Sequence, residues 1–191
     1  MTKKYKIGII AEDESDFISI KTLICRIANN YRLSTEKFIG KGCGKIKRKC
    51  NSWATTLKTK GCTVLFVVHD LDSNDLKTLQ KEIRSSLEPC PIIKNLIVIP
   101  VQELEAWLLS DPEGIKKSLK LNKPPKIKSN TEMIDSPKEY LGNAIFKASN
   151  YEKPYINTKH NKIISEAVSI NIIRNKCKSF IPFYDFIKTN L

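Results

Sequence analysis

Residues 64–68 read VLFVV, five apolar side chains in a row with three valines among them. A strand with one face in water alternates apolar and polar positions, whereas a strand without a polar position is covered on both faces. That run therefore predicts a buried strand of a parallel sheet with helices packed above and below it. The surrounding sequence agrees. YKIGIIA (5–11), EKFIG (36–40) and IIKNLIVIPV (92–101) supply further strand-like segments. Between the first two, Phe17, Ile20, Leu23, Ile24 and Ile27 recur at three- and four-residue steps, predicting a helix capped by Ser15 or Asp16 and running to about Tyr31. A basic helix ending near Gly61 and a helix over 74–87 separate the remaining strands. Strands alternating with helices predict an α/β fold, a mostly parallel sheet flanked by helices.

The 191 residues suffice for one domain with a small appendage. After about residue 111 the texture changes. LNKPPKIKSNTEMIDSPKEY (121–140) is rich in Pro, Lys and Ser and reads as a loop, and helical periodicity resumes around Ile163, Ala167 and Ile170. The expected division is a core over 1–115 and, over 116–191, a loop and a helical C-terminal extension whose aromatic tail docks on it. No window reaches the roughly 18 consecutive apolar residues of a membrane span, and the apolar stretch in MTKKYKIGIIAEDE is too short for a signal peptide. A cytoplasmic protein is expected, with no membrane partner. The six cysteines form no CxxC pair and stand at no zinc-finger spacing from His69 or His160, so they read as small buried hydrophobes. His160, between Lys159 and Lys162, has no assigned role.

In a parallel α/β sheet, ligands bind beyond the carboxyl ends of the strands. Acids gather there: Glu12 follows the first strand, Asp70 and Asp72 follow VLFVV, and Glu103 and Glu105 follow the last strand. Asp70 and Asp72 are two apart, so in extended backbone both side chains leave on one side. Two ionised carboxylates held together repel, and a hard divalent cation relieves them. The alternative for this DxD is a solvated acidic turn capping the next helix, a role for which Asp75 is well placed. Glu12 is a candidate general base or metal ligand. Asp13, Glu14 and Asp16 suit the positive end of the helix dipole. Leu104, Trp107 and Leu108 form a core face, with Glu103 and Glu105 off it; either is a ligand or a solvated acid at a helix start. His69 reads as packed beside Asp70.

The chain as a whole is basic, with 33 Lys and Arg against 20 Asp and Glu and a formal net charge of +13. Such a field attracts a polyanion, nucleic acid foremost. In KGCGKIKRK (41–49), Lys41, Lys45, Lys47, Arg48 and Lys49 suit phosphate-backbone contact; the segment lacks the order of a Walker A loop. An acidic pocket in a basic protein suits phosphodiester chemistry, in which a metal polarises the phosphate and cations hold the flanking backbone.

AEDESD, HDLD and QELEAWLLSD, in this order, resemble a Toprim domain, the topoisomerase–primase metal-binding fold. The nearest resemblance is to small stand-alone bacterial Toprim-like proteins with a first motif of the form E-G-x-T-E and a third of the form E-[IL]-E-A-W. It spans about residues 5–115, and CKSFIPFYDFI is similar to the C-terminal signature of that group. The resemblance implies a Toprim-like Rossmannoid core with Glu12 as the Toprim glutamate, Asp70 and Asp72 as the metal pair, and Glu103 and Glu105 as additional acids. Asp13 stands where the motif has Gly, and Asp16 where it has Glu. Related proteins of the overcoming-lysogenisation group are phage-defence nucleases acting beside an ABC-type or AAA ATPase. The expectation is thus a Mg²⁺- or Mn²⁺-dependent nuclease acting on DNA or tRNA, a monomer or homodimer with an ATPase partner. Catalysis falls to Glu12, Asp70, Asp72 and Glu103, and metal ligation to Glu12, Asp70, Asp72 and Glu105. The alternative is a basic nucleic-acid-binding or ATPase-docking subunit without turnover.

Overall fold

The computed structural model describes residues 5–40 and 42–191, with only the backbone of Cys43. Four parallel strands form one sheet: β1 (Lys6–Ala11), β2 (Ser34–Ile39), β3 (Val64–Val68) and β4 (Lys94–Val98), in the order β2-β1-β3-β4. Helices α1 (Glu14–Ile27), α2 (Cys43–Thr59) and α3 (Leu76–Leu87) make the crossovers. The fold is α/β and Rossmann-like, with a helical C-terminal region.

Every residue of β3 is buried, and its side chains alternate between two apolar clusters. Val64, Phe66 and Val68 face one layer with Ile7 and Ile9 of β1, while Leu65 and Val67 face the other with Ile10. The second layer is closed by Ile46, Cys50 and Leu57 of α2 and by Leu79 and Ile83 of α3. Gly8 permits this approach: a Cβ there would lie 2.9 Å from Leu57 Cδ1. The first layer is larger. It takes in Phe17, Ile20 and Leu23 of α1 and Trp107 of α4 (Glu105–Leu109), and then residues from the far end of the chain.

After α4 come α5 (Pro112–Leu119), α6 (Pro137–Ala148), α7 (Asn157–Ala167), α8 (Ile170–Lys176) and α9 (Phe180–Asn190). Phe180 and Phe183 of α9 lie with their ring centroids 4.9 and 5.5 Å from Trp107, and Phe183 also meets Phe66 of β3 edge-on at 5.7 Å. Trp107 Nε1–H donates to Ser179 Oγ at 2.8 Å, so this buried indole has its partner. Among the described residues no helix is long and apolar enough to cross a membrane.

Local details depart from the sequence reading. The α1 cap is Asp13, which accepts the Asp16 N–H at 3.0 Å while Asp16 returns a bond to the Asp13 N–H. The helix thus starts two or three residues earlier than Ser15 or Asp16 capping implies and ends at Ile27. The stretch 121–140 is mostly irregular, but α6 begins inside it at Pro137, a residue preorganised for the first helical turn. Cys25, Cys50, Cys62 and Cys177 are buried, whereas Cys90 is partly exposed.

Candidate active site

Because all four strands run the same way, their carboxyl ends and the loops after β1, β3 and β4 share one rim. Glu12 leaves the end of β1. Its Oε1 receives the Asp70 N–H at 3.2 Å and lies 2.8 Å from His69 Nδ1, which ties the first loop to the third strand. His69 Nδ1 also faces the Asp70 carbonyl at 2.7 Å. Two acceptors around one nitrogen assign the hydrogen to Nδ1. Burial disfavours charge on His69, but Glu12 and the Asp70 carbonyl outweigh it and raise the imidazole pKa. Nε2 is buried without a partner.

Asp70 turns inward. Its Oδ1 accepts the Leu104 N–H at 3.0 Å, joining the third and fourth strand ends. Burial, then Asp16, Glu105, Glu12 and Asp72, push its pKa well above the usual carboxylate range. Asp72 does not share this environment. Its φ of 48° turns the backbone into the left-handed region, so the extended DxD geometry fails and Asp72 projects into solvent. Burial and Glu12 still raise its pKa, which places it within electrostatic reach of the rim.

Asp16 and Glu105 lie deeper than their places at helix starts suggest. Asp16 closes the α1 capping box by accepting the Asp13 N–H, yet it is 3% exposed, and burial followed by Asp13 and Glu105 raises its pKa strongly. Glu105 is completely buried instead of solvated at a helix start. Its Oε1 accepts from Asn161 Nδ2 at 3.0 Å and Tyr155 Oη at 3.2 Å, while Oε2 has no protein partner. Tyr155 Oη also bonds Asn161 Oδ1, so one phenolic proton serves two acceptors. Glu103 is half-buried, with Oε2 accepting the Lys138 N–H at 2.6 Å. Burial raises its pKa although that bond opposes the shift.

Lys138, Tyr155 and Asn161 belong to this site and escaped the sequence reading. The Lys138 ammonium stands 3.9 Å from Asp13 Oδ2. Burial disfavours its charge, but Glu105, Asp13, Asp16 and Glu103 prevail and raise its pKa. Only the SP dipeptide at 136–137, a helix start, could have signalled that Lys138 sits in a first turn. Helix α7 packs along α1 and fixes the inner side: Asn161 holds Glu105, and Asn157 Nδ2 donates to Ser15 Oγ at 3.2 Å.

A family model matches residues 11–188, from the end of β1 to the last turns of α9. The chain belongs to the family described as a domain of unknown function, DUF4276. No curated protein and no solved structure matches it. In this DUF4276 domain the match covers the acid rim, the sheet and the C-terminal helices alike, so the site and the helices that brace it belong to one family unit.

The basic segment is a separate feature of the same domain. Lys45, Arg48 and Lys49 of α2 are exposed. Lys47 pairs with Glu82 of α3 at 2.7 Å and is close enough to oppose charge on His69. Lys41 lies outside the described residues. The acid rim fits a hard divalent cation in donor type and charge: several carboxylates disfavour one another's ionisation, and Glu105 Oε2 is a buried oxygen in need of a partner. Among the described residues no three His, Cys, Asp or Glu side chains are already arranged to hold one ion.

Proposed function

We propose that this chain is a Mg²⁺- or Mn²⁺-dependent nuclease whose centre is the acid rim. The observation that carries the reading is the enclosure of Asp16 and Glu105 next to part-buried Asp70, carboxylates gathered at the exit of a parallel sheet in a chain of net charge +13. Lys138 and protonation relieve so much enclosed negative charge only in part, which favours a positively charged ligand. Asp70, Glu12 and Asp72 would hold the metal, with Glu105 and Asp16 completing its shell from inside. Bound there, a divalent cation supplies Lewis-acid polarisation of a phosphoryl oxygen.

The protein groups have separable tasks. The His69 Nδ1–H holds Glu12 Oε1 and leaves Oε2 as the oxygen available to take a proton from water or to ligate. Lys138 brings an ammonium to the carboxylates and balances part of their charge. Tyr155 and Asn161 keep Glu105 Oε1 occupied, which aims the remaining oxygen. Lys45, Arg48 and Lys49 offer contacts to the flanking phosphates. The Toprim resemblance adds the rest of the proposal: a cytoplasmic antiphage effector cutting DNA or tRNA beside an ATPase partner.

The test is incubation of purified protein with labelled DNA and total tRNA in Mg²⁺, Mn²⁺ or EDTA, beside Asp70→Asn. Metal-dependent products that vanish in the variant support the nuclease reading and identify the polymer. Undiminished cleavage by folded Asp70→Asn refutes it. Because no three ligands are prearranged among the described residues, a second reading stands: a basic nucleic-acid-binding or ATPase-docking subunit that retains salt-sensitive binding and yields no product in any metal.

A further inference from the structure

Helix α6 leads outward from the acid rim. Lys138, Gly142 and Phe146 are four residues apart and share one face of it. At the outer end of that face lies a groove of about 430 Å³ lined by Glu139, Gly142, Asn143, Phe146, Pro154 and Tyr155. Tyr155 belongs to both places: its ring walls the groove while its hydroxyl bonds Glu105. Whatever lies against that ring is therefore one tyrosine side chain away from the carboxylates.

The mouth of the groove is aromatic and held open to solvent. Phe146 is 39% exposed, and Tyr151, 65% exposed, meets it edge-on with ring centroids 5.3 Å apart. This position is costly to maintain. Asn150 and Tyr151 have φ of 56° and 67°, and a second consecutive left-handed residue with a bulky side chain is unusual even past a helix end. The Tyr151 N–H bonds the Phe146 carbonyl at 2.7 Å and the Asn150 N–H the Lys147 carbonyl at 3.3 Å, a Schellman closure of α6 that brings residues 146 and 151 together. Strained backbone that displays an aromatic ring to water beside a candidate active site marks a binding feature. Local charge is mixed, with Glu139 in the lining, Lys147 and Glu152 exposed nearby and the Lys153 ammonium bonded to the Leu119 and Lys120 carbonyls, so the pull on a polyanion comes from the +13 of the whole molecule.

We propose that this groove is a nucleobase subsite, in which a base of a single-stranded polynucleotide stacks on Phe146, with Tyr151 bracing that ring edge-on from outside the lining, and the backbone runs to the acid rim. The inference rests on the nuclease reading and narrows its substrate to unpaired strands. A duplex keeps its bases stacked on one another and offers nothing to this ring, whereas an unpaired base exposes its π-face to it.

The experiment is fluorescence anisotropy in EDTA on the Asp70→Asn protein, which binds without cutting. The probes are labelled oligothymidylate, oligouridylate and a blunt DNA duplex; the added variants are Phe146→Ala, Tyr151→Ala and Phe146→Trp. The expected result is about a tenfold loss of single-strand affinity for Phe146→Ala, the weight of one stacked base, and a smaller loss for Tyr151→Ala, with duplex binding unchanged and affinity restored by tryptophan. The two single strands show whether deoxyribose or ribose is preferred. Equal losses for duplex and single strand, or no loss, overturn the subsite. If the parent binds single strands indifferently to Phe146 and Tyr151, only the subsite falls. If it binds no polynucleotide at all, the nuclease reading falls with it.

Discussion

Charge is used in two opposite ways on this molecule. At the acid rim, Asp16 is 3% exposed and Glu105 fully enclosed, and burial together with neighbouring carboxylates raises the pKa of Asp16 and Asp70. Along α2, Lys45, Arg48 and Lys49 stand in water, and the interhelical pair of Lys47 with Glu82 is itself half-exposed. Exposed cations are cheap, screened by salt and interchangeable. Buried anions are expensive and each depends on its neighbours. Selection of a ligand therefore belongs to the rim and long-range attraction to α2, so substitutions in the two regions should differ in kind as well as in size.

The largest difference is expected in turnover. Asp70→Asn removes the carboxylate that bonds the Leu104 N–H and faces Asp16, Glu105 and Glu12. Loss of metal-dependent cleavage on the order of a thousandfold or more is expected, corresponding to several kcal/mol of transition-state stabilisation. Lys45→Ala should alter binding by a few-fold and leave the maximal rate near its original value. Steady-state kinetics on the cleaved polymer decides the matter, and equal losses of maximal rate in both variants would erase the distinction between the regions.

The layout behind that contrast was partly readable from sequence. VLFVV and its alternation with helices sufficed for the parallel α/β sheet, because a strand without polar positions has few other environments. The carboxyl-end rule then placed Glu12, Asp70 and Glu103 together. Depth was not readable. Extended backbone predicts Asp72 beside Asp70 on one side; its left-handed φ removes that geometry, although Asp72 still stands near enough to raise the Asp70 pKa. Asp16 looked like a helix-end acid, yet the cap begins at Asp13, and Asp16 is left facing inward in the first turn. Glu105 stays open between ligand and solvated acid in the sequence, because nothing in ELEAWLL announces that Tyr155 and Asn161, some 50 residues later, close over it. Lys138 was hidden for the same reason: its partners, Asp13 and Glu103, are distant in sequence and leave no local pattern.

Lys138→Met sharpens the comparison at the next scale. Its ammonium balances Glu105, Asp13, Asp16 and Glu103, so its loss leaves buried negative charge less compensated. Without divalent metal the variant should lose about 1–2 kcal/mol of stability, a value kept low because Lys138 is partly exposed. Added Mn²⁺ should recover more stability in the variant than in the parent, since a vacancy for positive charge has been created. Thermal melts in EDTA and in Mn²⁺ provide the readout. An unchanged melting temperature in EDTA would mean that solvent, rather than Lys138, compensates the rim.

Asp16→Asn should act in the reverse direction. Its folded pKa lies well above the unfolded value, near 3.8, through burial and then through Asp13 and Glu105. Between those two values the native state holds a proton that the unfolded chain releases, so this group's contribution to stability falls as pH rises through the window. Below about pH 4 both states are protonated and the contribution is neutral. Asparagine removes the penalty, and in EDTA the variant should melt about 2–6 °C higher than the parent at pH 7. The gain should shrink towards zero near pH 4. A gain that persists in acid would assign the effect to packing instead of charge.

The smallest effect belongs to the exposed face. Lys49→Ala removes one solvated cation from α2, where Lys45 and Arg48 remain. If Lys49 touches a phosphate, one counterion fewer is released on binding, and the slope of log affinity against log salt should become shallower by about 0.7–0.9. Affinity at moderate salt should fall only a few-fold, equally for all sequences, because phosphate contacts position a strand without reading it. A salt titration of oligonucleotide anisotropy measures both quantities. An unaltered slope would remove Lys49 from the interface, and an unaltered slope for Lys45→Ala and Arg48→Ala as well would move the electrostatic track off α2 altogether. The cation beside the groove on α6, Lys147, would then be the one to titrate, and attraction and selection would share one side of the molecule.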